Sequence, residues 1–279
     1  MAINVYGTRM LPKDTHFQGL YCGVTSVSAP GAKREIIMQR FIAEPSFWKL
    51  LPDTRIGIIV VRGMLSADEI PEADRAEIAR ILDRANDQAD RWLTSDVISE
   101  NEVVRVWRDA YRTFKSKGGA RCAVENLLKR VLKGKPVGSI TPSVDIYNAI
   151  SLKYALPVGG ENIDTVIGDF RLGVDAQGGM DFLPIGEDEP APTLPGELCY
   201  YDDAGAICRC WNWRDGQRTE LTDDSENAIL VMECVDPERE ADLRAALDEF
   251  ASLMERYLRA EVTVKDIVTR DNPEVVIVP

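Results

Sequence analysis

Apolar residues along the chain fall into short runs that predict strands. The run RIGIIVVRGM at 55–64 is short, rich in β-branched residues and bounded by turn residues, which is typical of a buried strand. The segment at residues 35–43 is compatible with either a strand or a short helix. Similar runs predict later strands at 165–173, 205–213, 227–235, 261–268 and 274–278.

Apolar residues at helical spacing predict helices between the first of these strands and the later ones. Segments 68–93, 99–115 and 121–133 each carry an apolar stripe with a period near 3.6 residues. Asp236 and Pro237 are a good N-cap and first-turn pair, and they predict a further helix towards the C-terminus. Helices first, then strands, then a helix predict an α+β fold rather than alternating α/β.

The length of 279 residues allows one large domain or two small ones. Residues 1–45 contain short mixed segments punctuated by glycines, and we interpret them as an N-terminal extension. The core is expected to begin near Pro45, so residues 46–279 are predicted to form the main domain.

The stretch VDIYNAISLKYALPVGGENID at 144–164 combines a predicted helix with polar residues at regular spacing. Thr141 and Pro142 suit the N-cap and the first turn of this helix. Asp145, Asn148 and Ser151 lie three apart on one ridge, and Ile146, Ile150 and Tyr154 lie four apart on another. Spacing alone favours a solvated polar ridge, but the two glycines that follow would let backbone approach a ligand closely.

The segment CRCWNWR at 208–214 is the second unusual stretch. If it is a strand, Trp211 and Trp213 share one face and Asn212 lies on the other, with Arg209 and Arg214 at the flanks. Tryptophan beside arginine is typical of ligand contacts, and a Trp-rich core strand is the alternative. Cys208 and Cys210 would share a strand face, but two thiols do not make a metal site, so we predict buried cysteines and no metal.

The formal net charge of −13 argues against nonspecific binding to nucleic acids, because phosphate contacts need clustered Lys and Arg. The segment 112–135 is the exception, with eight Lys or Arg residues against the single acid Glu125. This segment is either a local basic patch or a solvated helix face.

Cysteine and histidine usage narrows the chemistry further. The six cysteines are dispersed without a CxxC pair, and the first residues lack a signal-peptide pattern, so we expect a cytoplasmic protein. No apolar run of about 18 residues predicts a membrane span. His16 is the only histidine, so catalysis is expected to use carboxylates, backbone donors, water or the substrate itself. No GxGxxG or GxxxxGK[ST] motif occurs, and no cofactor is predicted.

An ordered set of motifs resembles the B3/B4 domain, which is the tRNA-editing domain of the bacterial phenylalanyl-tRNA synthetase β subunit. The similarity to freestanding B3/B4 proteins is greater, and it covers roughly residues 46–270. The motifs are W-x-x-x-Y-R at 107–112, R-x-x-x-E-x-L-L-x-R-x-L-K-G at 121–134, S-V-D-I-Y-N-x-x-S-L-K-Y-x-L-P at 143–157, G-D at 168–169, P-G-E-x-x-Y at 195–200 and C-R-x-W-N-W-R at 208–214.

The resemblance implies an α+β domain with a β-barrel-like core surrounded by helices, and a pocket between the Asp-x-x-Asn helix and a later strand. Asn148 matches the Asn of the editing domain's D-x-T-N motif, and Glu233 matches the Glu of its L-L-E strand. Tyr147 stands where that domain has Thr, and Gly159 stands where it has His. The tyrosine specificity of the synthetase is therefore not carried over.

The resulting hypothesis is a freestanding hydrolase that binds aminoacylated tRNA and deacylates misacylated tRNA in trans. Asn148 and Glu233 are the predicted catalytic residues, orienting water or the amino group. The predicted substrate contacts are Tyr147, Lys153, Gly159, Arg209 and Asn212, and the predicted tRNA contacts are Arg121, Lys129 and Arg130. Two alternatives remain, a noncatalytic module that binds an amino acid, metabolite or RNA in the same cleft, and a small-molecule enzyme on this scaffold.

Overall fold

Two sheets organise residues 38–278, the part of the chain that the computed structural model describes. The strands are β1 (Gln39–Ala43), β2 (Arg55–Arg62), β3 (Val158–Asn162), β4 (Phe170–Asp175), β5 (Glu197–Asp202), β6 (Gly205–Arg209), β7 (Arg214–Asp215), β8 (Ala228–Cys234), β9 (Glu261–Val268) and β10 (Glu274–Val278). The first sheet has the order β10-β1-β4-β5-β6-β7, and the second has the order β3-β8-β2-β9. β1 and β4 pair in parallel, whereas the second sheet is antiparallel.

Six α-helices flank these sheets within the described residues. They are α1 (Pro45–Leu50), α2 (Glu72–Ala89), α3 (Glu102–Ala110), α4 (Ala123–Leu132), α5 (Pro142–Tyr154) and α6 (Glu240–Leu258). The α+β class is confirmed, as are the strand at β2 and the helices at α2, α3, α4 and α6. In the same part of the chain, no helix combines the length and apolar character needed to cross a bilayer.

The core divides into two layers because neighbouring residues of a strand face opposite sides of the sheet. On β2, Ile56 and Ile58 belong to a cluster that also contains Phe170 and Tyr200 of the first sheet. The alternate residues of β2 join a second cluster with side chains of α6, of which Phe250 is one. The second sheet therefore has the first sheet on one face and helices on the other.

The expected β-barrel-like core needs correction, because among the described strands neither sheet closes on itself. β7 and β10 end the first sheet, and β3 and β9 end the second. Large buried side chains, among them Trp107, Trp211 and Phe41, fill the interior. The two open sheets thus pack face to face, which gives an enclosed core without barrel closure.

Local backbone geometry explains where strand predictions failed. The strand predicted over 205–213 ends at Arg209, because Cys210 and Trp211 adopt left-handed conformations with φ of 47° and 66°. Trp211 and Trp213 therefore do not share a strand face, and Cys208 and Cys210 do not either. The strand predicted over 165–173 begins at Phe170, after a 3-10 turn at Ile163–Thr165.

Three strands lie where no strand was predicted, and the shortest of them is β7 at Arg214–Asp215. Val158–Asn162 forms β3, although its two glycines favoured a turn, and Glu197–Asp202 forms β5. The ambiguous segment 35–43 contributes β1, which lies inside the first sheet. The domain boundary at residue 45 stays a prediction, and His16 and Cys22 lie outside the described residues.

Candidate functional site

Two glutamates lie on the face of the second sheet that is directed at the first sheet. In the β3–β8 register, Gly159 pairs with Val231 and Glu161 pairs with Ile229, so these side-chain positions share a face with Glu233. Glu161 and Glu233 are both fully buried. Ile229 is four residues from Glu233 along β8, so the two glutamates are separated by about 13 Å along the strand direction.

Glu233 contacts the first sheet through a short hydrogen bond. The Tyr200 hydroxyl donates to Glu233 Oε1 at 2.6 Å, and Glu233 Oε2 has no hydrogen-bond partner. Burial raises the pKa of Glu233 to about 7, and the hydrogen bond from Tyr200 and the nearby side-chain amide of Asn212 oppose that rise. A carboxyl group that titrates near neutrality can accept or donate a proton under ordinary conditions.

Asn212 is held beside this carboxyl group by the turn that follows β6. The Tyr111 hydroxyl lies 2.8 Å from Asn212 Oδ1 and 2.9 Å from the Cys210 carbonyl oxygen. The preceding Trp211 is fully buried, and its ring lies 4.9 Å from that of Trp107. Trp211 is therefore a packing residue, and the turn that buries it also places the amide of Asn212 in the interior.

The polar ridge of α5 is buried rather than solvated. Asp145 accepts a hydrogen bond from the Ile140 amide at 2.7 Å and another from the Ser139 hydroxyl. Ser151 donates to the Leu156 carbonyl oxygen at 2.6 Å. Asn148 is also fully buried, but neither of its side-chain polar atoms has a hydrogen-bond partner. Two ridge residues thus secure the helix ends, and Asn148 keeps its amide available in the interior.

Tyr147 and Glu161 line a small cavity of about 60 Å³ at the start of α5. Burial raises the pKa of the Tyr147 phenol, and the nearby carboxyl groups of Asp215, Glu161 and Glu220 add to that effect. Burial and the neighbouring Asp215 likewise raise the pKa of Glu161. Several acidic groups therefore converge on this cavity.

Three of the predicted substrate contacts, Arg209, Lys153 and Gly159, do not line the cavity beside Tyr147. Arg209 is buried and donates to both carboxylate oxygens of Glu197, at 2.9 and 2.6 Å. Lys153 donates to both carboxylate oxygens of Glu249, at 2.7 and 2.6 Å. Gly159 lies on β3 within the interior face. Arg209 and Lys153 are therefore both engaged in ion pairs within the chain. Gly159 lies between the two buried glutamates.

The predicted tRNA contacts are spread along α4. Arg121 precedes the helix and lines a cavity of about 250 Å³ together with Arg108 and Arg112. Lys129 is exposed in the last turn, where Arg130 donates to the Pro136 carbonyl oxygen at 3.2 Å. These residues consequently lie at opposite ends of α4 rather than in one compact patch.

Sequence reasoning missed several residues of the interior. The hydroxyl groups of Tyr200 and Tyr111 contact the Glu233 and Asn212 side chains, yet each tyrosine follows an ordinary apolar pattern. Glu161 and Asp215 were also missed. The available signals were the P-G-E-x-x-Y motif for Tyr200, the W-x-x-x-Y-R motif for Tyr111 and the position of Glu161 directly after two glycines.

Two open sheets, flanking helices and an enclosed set of polar side chains define an α+β domain with an internal polar site. A family model described as B3/4 domain matches residues 106–265, which is more than half of the chain and includes Asn148, Glu161 and Glu233. The chain belongs to the B3/4 domain family. The resemblance to the B3/B4 domain, which the sequence motifs indicated, is therefore confirmed at the level of the family.

One solved structure illustrates how far the similarity extends. The chain resembles the crystal structure of an N-terminal fragment of the phenylalanyl-tRNA synthetase beta-subunit from Pyrococcus horikoshii, with 10% sequence identity and a TM-score of 0.41. The similarity covers 84% of this chain and 52% of that chain, so this chain spans about half the length of that fragment. No curated protein matches the chain.

Proposed function

We propose that the protein binds aminoacylated tRNA and hydrolyses the ester bond of misacylated tRNA in trans. Membership of the B3/4 family and the motif resemblance to the editing domain support a role with tRNA. The observation that carries the hydrolytic part is Glu233, a buried carboxyl group with one unpaired oxygen and a pKa of about 7.

An aminoacyl ester is already activated, so a positioned water molecule and hydrogen-bond donors are sufficient chemistry. In the proposed step, water forms a bond to the ester carbonyl carbon and gives its proton to Glu233, either directly or through the vicinal hydroxyl of the terminal ribose. The bond between that carbon and the ribose oxygen then breaks, and the ribose oxygen takes the proton. The products are a free amino acid and uncharged tRNA.

Asn148 and Asn212 supply the polar groups that this reaction needs besides the base. Both side chains are fully buried, and both amide nitrogens are without a hydrogen-bond partner. An amide N–H is a suitable donor to the negative charge that develops on the carbonyl oxygen. We assign this role to Asn148, and we assign to Asn212 the orientation of the Glu233 carboxyl group.

The tRNA is proposed to contact the basic segment 112–135. Arg121, Lys129 and Arg130 belong to this segment, and all three have exposed or partly exposed side chains. Since phosphate contacts release counterions, the affinity for tRNA is expected to fall steeply with salt. Substituting Lys129 and Arg130 together should reduce that salt dependence.

The test is incubation of the protein with a panel of mischarged tRNAs, measuring loss of the amino acid. We expect Glu233→Gln to reduce the deacylation rate by roughly 10²–10⁴-fold, the usual contribution of a general base. Glu255→Gln on the exposed surface of α6 is the matched control and should deacylate normally. Deacylation no faster than in buffer, or full activity of Glu233→Gln, would refute the proposal. Tight binding of tRNA without turnover would favour the noncatalytic binding module instead.

A further inference from the structure

The cavity beside Tyr147 contains a buried carboxyl group without a partner. Glu161 lines the cavity, is fully buried, and neither of its carboxyl oxygens has a hydrogen-bond partner. Burying unpaired polar groups costs roughly 1–3 kcal/mol each, and more for charged groups. Groups retained at such a cost are candidates for contact with a ligand.

The surroundings of Glu161 favour a positively charged ligand. Asp215 and Glu220 line the same cavity, and Asp215 acts on Glu161 as a like charge. Arg218 is the nearby cation, but its guanidinium donates to both carboxyl oxygens of Asp202, at 2.8 and 2.7 Å. A cation in the cavity would relieve the repulsion between the carboxyl groups and supply donors to Glu161.

The donor set fits an organic ammonium group better than a metal ion. Within residues 38–278, no group of three or more His, Cys, Asp or Glu side chains is arranged to hold a metal. An ammonium group carries three N–H donors, and the two carboxyl oxygens of Glu161 are unpaired acceptors at the wall of the cavity. The volume of about 60 Å³ accommodates an ammonium group with its adjoining methylene but not a bulky ring.

Distance decides which ammonium group of an aminoacyl ester can reach this cavity. Glu161 and Glu233 are about 13 Å apart along the strands. An α-amino nitrogen is only two bonds from the ester carbonyl carbon, so it cannot lie at Glu161 while the carbonyl lies beside Glu233. An extended lysine side chain places its terminal nitrogen roughly 7 Å from the carbonyl carbon. A hydrogen bond of about 3 Å from the ammonium group to Glu161, together with the water molecule between the carbonyl carbon and Glu233, extends this reach enough to span about 13 Å.

The stretch of the sheet between the two carboxyl groups is apolar, as an aliphatic chain would require. Gly159 and Val231 are the paired residues between Glu161 and Glu233 on this face of the sheet. Gly159 adds no side chain there, and Val231 is apolar. We propose that the cavity at Glu161 binds the terminal ammonium group of an aliphatic side chain, so that the substrate is tRNA charged with a lysine-like amino acid. The identity of the substrate rests on the proposed hydrolysis, whereas the ammonium site does not.

Binding of amino-acid amides tests the ammonium site without any hydrolysis. Lysine amide and norleucine amide have the same α-amino group and backbone and differ at the terminal ammonium. Calorimetry should show at least tenfold tighter binding of lysine amide to the full-length protein. Glu161→Gln should bring the ratio of the two affinities close to one, and Glu255→Gln should leave it unchanged. Equal affinities, or no binding of either amide, would overturn the proposal.

A second measurement uses only the unaltered protein and so does not depend on the folding of a variant. Lysine amide should raise the thermal unfolding temperature more than norleucine amide does at the same concentration. Deacylation of tRNAs without preference for a lysine-like residue would overturn the assignment of the substrate and leave the hydrolase intact. Selective binding of lysine amide without deacylation would support the site and refute the hydrolase.

Discussion

The Glu233→Gln substitution is expected to make the protein more stable above about pH 4.5, by an amount that grows with pH and is complete near pH 7. Burial raises the pKa of Glu233 to about 7, so the folded state favours the protonated carboxyl group. The unfolded chain loses this proton near its ordinary pKa of about 4.5. The contribution of the protonated Glu233 to the free energy of unfolding is therefore fully present below that pH. It is lost progressively as the pH rises to about 7. Glutamine stays neutral and can still accept the hydrogen bond from Tyr200.

The expected size follows from the difference between the two pKa values. A difference of about 2.5 units at 1.36 kcal/mol per unit corresponds to about 3 kcal/mol. At pH 4.5 the wild type and Glu233→Gln should have nearly equal free energies of unfolding. Above pH 7 the variant should be more stable by about 3 kcal/mol. The same substitution should reduce deacylation, so the loss of activity would not be due to unfolding.

Urea unfolding of both proteins at a series of pH values between 4.5 and 8.5 measures this difference directly. Other buried acids titrate in both proteins, so their effects cancel when the two free energies are subtracted. The exposed Glu255→Gln variant should show a difference that does not depend on pH. A pH-independent difference for Glu233→Gln, or a loss of stability above pH 7, would refute the assignment of a buried, neutral carboxyl group.

Two further predictions concern the packing around the site, and both are read from urea unfolding. Glu197→Gln should cost about 3–5 kcal/mol, because it leaves the buried guanidinium of Arg209 without its paired charge. Gly57→Ala should cost about 1–3 kcal/mol, because the added Cβ would lie 2.7 Å from a methyl group of the buried Leu247.

Each of these substitutions has a matched control on the surface. Glu187→Gln also removes a partner of an arginine, Arg214, but the Glu187 side chain is half exposed, so a change below about 1 kcal/mol is expected. Gly138→Ala adds a Cβ that meets no atom within 4 Å. Equal costs for a substitution and its control would contradict the role of burial.

Elements with a strong apolar period were predictable because burial of one face requires that period. The helix α5 was also predicted, and Thr141 does cap it, accepting from the Val144 amide at 3.4 Å. The strand β3 was not, because its Gly159 and Gly160 resemble a turn locally. Its pairing with β8 is a long-range interaction that the local sequence does not report.

The same limit applies to the candidate site. The spacing of Asp145, Asn148 and Ser151 placed them on one ridge, but spacing alone favoured solvent. The ridge is buried because the surrounding fold encloses α5, and each hydrogen bond of Asp145 and Ser151 reaches a chain segment outside the helix. Asn148 differs from Asp145 and Ser151 in that its side-chain amide has no hydrogen-bond partner.

The sequence by itself determined the α+β class, the family and the chemistry open to a chain with a single histidine, because composition, period and motif order are properties of the chain. The tertiary structure decided that Glu233 meets Tyr200 and that Glu161 lies on the same face with Gly159 between them. The first relation follows from the packing of the two sheets against each other and the second from the β3–β8 register, so both are set by the tertiary fold. It joins residues that are far apart in the sequence, and burial in that shared interior, rather than residue type, raises the pKa values of both carboxyl groups.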